Sequence, residues 1–64
     1  MNEKIRQEII KVKTTGKVNM FDSYGVQRIA NEMNLFELVI FIEEHRKAYG
    51  KFILTGDVEA LDVE

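Results

Sequence analysis

The chain has no cysteine, no proline and no tryptophan among its 64 residues. Without cysteine there is no disulfide to hold so short a chain together, and with a single histidine there is no donor set for structural zinc. One apolar core of this size gives only marginal stability, so unusually good helix packing or a second copy has to help. Long apolar runs are missing as well. Nothing approaches the roughly 20 residues that cross a bilayer, and "MNEKIRQEII" has neither the apolar stretch nor the cleavage site of a secretory signal. The expectation is a cytoplasmic protein with no membrane partner.

A strong charge of one sign is also absent, since the formal net charge is −2. That speaks against a generic binder of polyanions. The distribution is uneven: four of the eleven acids (Asp57, Glu59, Asp62, Glu64) lie in the last eight residues, leaving seven acids against nine bases before them. A faintly basic body over 1–56 therefore ends in an acidic tail over 57–64.

With no proline, and with β-branched residues that do not alternate with polar ones, the pattern is helical. In "NEKIRQEIIKVKTTG", Ile5, Ile9 and Val12 recur at helical spacing, which predicts a helix over about 2–14 with Asn2 as cap and Gly16 as stop. Glu3 with Arg6, Lys4 with Glu8 and Glu8 with Lys11 are spaced as ion pairs on a solvated face. After "KVNM", Asp22 is placed to cap a second helix over 23–33. Phe21 and Val26 then stand at the positions of a hydrophobic staple, and Val26, Ile29, Ala30 and Met33 make one stripe. Asn34 can end this helix and cap the next, with Glu37 completing a capping box.

The third segment is the most apolar. Leu35, Leu38, Phe41, Ile42, His45, Tyr49, Phe52 and Ile53 fall on one side of a helix turning about 100° per residue, which predicts one continuous helix over 35–54 running through Gly50. A competing reading ends it at Tyr49 with Gly50 as cap and makes "KFILT" a strand, but such a strand has no obvious partner. Phe36 and Ile40 lie nearly opposite the main stripe, so this helix needs covering on two sides, and a homodimer is one simple way to do so. The fold expected is all-α: a small three-helix domain with a long C-terminal helix, in a helical homodimer if the second apolar face is covered by another copy.

"EEHR" invites a metal or catalytic reading, yet two ligands on one helix must sit three or four apart, and His45 has Phe41, Ile42, Ala48 and Tyr49 at those distances. His45 is better read as a structural, half-buried member of the stripe. No cysteine nucleophile, no defensible Ser/His/Asp set and no glycine-rich phosphate loop is present, so no catalytic residue, metal or cofactor is expected. "VQRIANEMNLFELVIFIEEHRK" has the outline of a helix-turn-helix, with Lys11, Lys13, Lys17, Arg46, Lys47 and Lys51 available to phosphates. Its second helix, however, opens on Leu35, Phe36, Glu37 and Leu38, a poor reader of base edges. Nucleic-acid binding is the alternative. The main expectation is a protein-interaction module, with Met20 and Tyr24 in the loop and Phe36 and Ile40 on the third helix as candidate partner contacts.

The combination of "NMFD", "VQRIA" and "ELVIFIEEHRKAYGKFILTG" resembles a small uncharacterised family of proteins encoded by phages and prophages of Gram-positive bacteria. The resemblance spans nearly the whole chain up to Gly56. It implies an accessory protein acting in the bacterial host cell by binding a host or phage protein, and it assigns no activity and no site residues.

Overall fold

The computed structural model describes residues 3–62. They form four α-helices, α1 (Glu3–Thr15), α2 (Ser23–Glu32), α3 (Phe36–Glu44) and α4 (Arg46–Thr55), and a closing 3-10 turn, Val58–Leu61. There is no strand among the described residues, and "KFILT" is helical. The expected cap Asn2 lies outside the described residues.

The first two helices follow their local signals. α1 stops where Gly16 takes a positive φ of 66°, a conformation that costs glycine little. At the start of α2 the Asp22 carboxylate accepts from the Gly25 amide at 3.1 Å, which satisfies one of the four amides a helix start leaves open. At its end, Asn34 stands at φ 63°. The Leu35 amide reaches back to the Ala30 carbonyl (2.8 Å) and the Asn34 amide to that of Asn31 (3.1 Å), the bond pattern of a Schellman stop. Asn34 thus ends α2, but it does not cap α3. No side chain caps α3 from its own start.

That task falls to α1. The Glu8 carboxylate accepts from the Leu38 amide at 2.9 Å, and Glu8 is 5% exposed. The expected pairing of Glu8 with Lys4 and Lys11 on a wet face is therefore replaced by a buried cap, and Lys4 pairs with Glu37 instead (3.6 Å). A charge on the positive end of α3 is favourable twice over, through the hydrogen bond and through the helix dipole.

The expected third helix is two. A straight helix over 35–54 would be about 30 Å long at 1.5 Å per residue, longer than the molecule's greatest extent of 26 Å. The chain breaks at His45 (φ −137°, ψ 52°), not at Gly50, and α4 packs on α3, α2 and the 3-10 turn. The break lets Leu38, Phe41 and Ile42 of α3 and Tyr49 of α4 enter one core with Ile9, Val12, Val26, Ile29 and Ala30. Burying a side chain of this size contributes about 1.5–3 kcal/mol, enough in sum to offset the few backbone bonds lost at a break.

One further expectation changes: Phe21 is not a buried staple, since it is 64% exposed while Val26 is fully buried. The acidic segment after Gly56 forms a short helical turn over its described part: Asp57 caps the 3-10 turn through the Glu59 amide (3.0 Å), and Leu61 is buried in the core. Gly56 makes this turn-back possible with a φ of 74°. No buried side-chain nitrogen or oxygen among the described residues lacks a hydrogen bond.

Candidate interaction surface

α1 packs on α2, α3 and the 3-10 turn, and α4 packs on the same three elements. Among the described residues the two are not in direct backbone contact with each other. The gap between them is a groove of about 380 Å³, lined by Ile9, Ile10 and Lys13 of α1, Met20 and Phe21 of the α1–α2 loop, and Phe52, Ile53 and Gly56 at the end of α4. Lys13 is its one charged lining residue among the described residues. The volume lies near the lower end for ligand pockets, and an apolar lining of this kind recognises apolar groups and holds few polar ones in place.

The loop residues at its rim are held from below. The Tyr49 hydroxyl donates to the Met20 carbonyl at 2.7 Å, and burial, followed by the nearby Asp22 charge, pushes the Tyr49 phenol well above the usual range. The Phe21 amide donates to the Asn19 side chain at 2.9 Å, and the Asp22 amide to the Asn19 carbonyl at 2.8 Å. The Phe21 ring is thereby presented outward from a braced loop. Sequence reasoning missed Phe21 as a surface group, because it stands at a staple position beside the true core residue Val26.

The four candidate partner contacts separate into different regions. Met20 is half-buried and lines the groove. Tyr24 is exposed, and the Arg46 guanidinium lies over its ring, 3.8 Å from the centroid, a cation–π stack. Phe36 and Ile40 are exposed and four apart on α3, which puts them on one face of that helix. None of these three lines the groove.

The six candidate phosphate contacts differ in their settings. Arg46 is engaged inside the protein, donating to Ser23 Oγ and to Gln27 Oε1, each at 2.8 Å, and pairing with Glu43 at 3.5 Å. Gln27 in turn donates to the Val39 carbonyl and to Glu43, both at 3.1 Å. Lys11 and Lys13 are two apart, about 200° around α1, so they face different ways. Lys17 is exposed in the loop, and Lys47 and Lys51 lie exposed one turn apart on α4.

Glu43, Glu44 and His45 do not converge. Glu43 takes the bonds just described, Glu44 is exposed, and the half-buried His45 ring lies 5.5 Å from that of Phe41. No group of three or more His, Cys, Asp or Glu among the described residues is placed to hold a metal ion. No helix among them is long and apolar enough to cross a membrane.

These features define a small all-helical domain with an apolar groove among the described residues. The sequence matches a domain of unknown function, DUF5049, over residues 1–57, and the chain belongs to that family. No curated protein and no solved structure matches it.

Proposed function

We propose that this protein is a small, non-enzymatic interaction module that docks a protein partner in the groove between α1 and α4. The observation that carries the reading is the groove itself: a braced loop holds Phe21 64% exposed at its rim, where it shares the apolar lining with the exposed Ile10, and a contiguous apolar patch of this kind marks an interaction site. The resemblance of "NMFD", "VQRIA" and "ELVIFIEEHRKAYGKFILTG" to phage and prophage proteins supports a role as an accessory factor in the bacterial cytoplasm, acting on a host or phage protein. Capture from host and infected-cell extracts, with Phe21→Ser as the control, tests it. A protein retained by the natural chain and lost with the variant is expected, and identical retention by both contradicts the reading.

A second reading keeps α2, the Asn34 turn and α3 as a helix-turn-helix-like nucleic-acid binder. The left-handed turn between the two short helices favours it. Against it stand the internal engagement of Arg46 and the exposed Phe36 and Glu37 at the start of α3. Titration of labelled duplex at low salt decides: no binding there removes it.

A further inference from the structure

The break at His45 is unlike an ordinary helix end. α3 finishes on Glu43 and Glu44, and α4 begins on Arg46 and Lys47. Acids at a C-terminus and bases at an N-terminus are the reverse of what helix dipoles favour. The start of α4 has no side-chain cap, and its first-turn amides lose the acceptors that a continuous helix would give them. Neither glycine nor proline stands at the break, and the 3,4,3,4 spacing of 35, 38, 42, 45, 49 and 52 runs through it. Locally, then, the chain favours one straight helix, in which Glu43 could pair with Arg46 or Lys47 without opposing a dipole.

Tertiary contacts hold the bend at His45. Arg46 reaches Ser23 and Gln27 of α2, and the Tyr49 hydroxyl reaches the Met20 carbonyl. Leu61, carried beyond α4, enters the core. Each acceptor lies on the N-terminal side of His45, so a second copy can supply each donor equally well.

We propose that His45 is the hinge of a domain exchange. α3 and α4 straighten into one helix, and α4 with the 3-10 turn packs on α2 and the loop of a second copy, while that copy does the same in return. The exchanged dimer keeps every closing contact and removes two uncapped, dipole-opposed breaks. The inference is independent of what occupies the groove.

Refolding from denaturant at millimolar and at micromolar concentration, followed by mass measurement in solution, tests it on the natural chain and on His45→Ala and His45→Gly. Alanine favours the straight helix and glycine opposes it by about fivefold per hinge, so the dimerisation constants should differ about 25-fold across the two hinges of a dimer. In a co-refolded mixture of isotope-labelled and unlabelled natural chains, the Tyr49–Met20 contact should appear between chains in the dimer fraction. A monomer mass for all three proteins at every concentration overturns the proposal. So does an unchanged dimerisation constant, or a dimer whose Tyr49–Met20 contact stays within one chain. If either variant fails to fold, the natural chain alone still gives the mass and the inter-chain contact.

Discussion

Glu8 and Leu38 stand thirty residues apart in sequence, and the carboxylate of the first accepts the backbone amide of the second at 2.9 Å inside the protein. A side chain from α1 therefore starts α3, and the two helices are fixed in register by one charge-assisted bond. Glu8→Ala removes the shorter of the Leu38 amide's two hydrogen bonds and leaves the one to the Leu35 carbonyl at 3.1 Å, and losing a bond to a charged group should cost about 1.5–3 kcal/mol. Urea unfolding checks it, and Glu3→Ala, at an exposed position of the same helix, is the control expected to change little.

Two glycines should respond in opposite directions. Gly50 lies within α4 and a Cβ there meets nothing within 4 Å, so Gly50→Ala should stabilise by up to about 1 kcal/mol. At Gly25 a Cβ would stand 2.6 Å from the capping carboxylate of Asp22 and 2.7 Å from Val18. Gly25→Ala should destabilise by about 1–3 kcal/mol, because the cap or the loop must move. Thermal melts of the pair read both signs at once.

Leu61 is 3% exposed, so Leu61→Ala should cost about 2–5 kcal/mol, the range for a core leucine. A melt unchanged by this substitution would contradict the placement of Leu61 in the core.

How far the fold could be read in advance depended on whether the deciding contact was local. Asp22, Gly16 and Asn34 act within three to five residues of themselves, and each marks a real helix end. The break at His45 has no local signal, since the apolar period passes through it and the charges around it suit a continuous helix. Packing of Tyr49 and Leu61 overrides them. Glu8 was hidden by basic neighbours at ion-pair spacing, and Leu61 by the acids on either side of it. On the surface, the exposure of Phe36 and Ile40 followed from their place opposite the stripe. The groove did not, because it is a gap between helices that are not neighbours in sequence.

The phenol of Tyr49 predicts an alkaline limit. Burial raises its pKa in the folded protein above the roughly 10 of an unfolded chain. Below pH 10 both states hold the proton and the stabilisation is complete. Above it, the unfolded chain releases a proton that the folded one keeps, so stability should fall by up to about 1.4 kcal/mol per pH unit from this residue. Tyr49→Phe should be less stable at neutral pH by about 1–3 kcal/mol, as the Met20 carbonyl loses its donor. Its stability should fall less steeply between pH 10 and 11. Denaturant midpoints of both proteins across this window give the comparison.

The central claim is that the groove, and not the outer face of α3, meets the partner. Quantitative capture from infected-cell extracts with the natural chain, Phe21→Ser, and the double variant Phe36→Ser/Ile40→Ser compares the two faces directly. All three substitutions sit at exposed side chains, so each variant should keep its fold, which a melt confirms. The prediction is a specific protein bound by the natural chain and by the α3 variant but lost by at least tenfold with Phe21→Ser, a change of about 1.4 kcal/mol. Loss with the α3 variant and full retention with Phe21→Ser would contradict it.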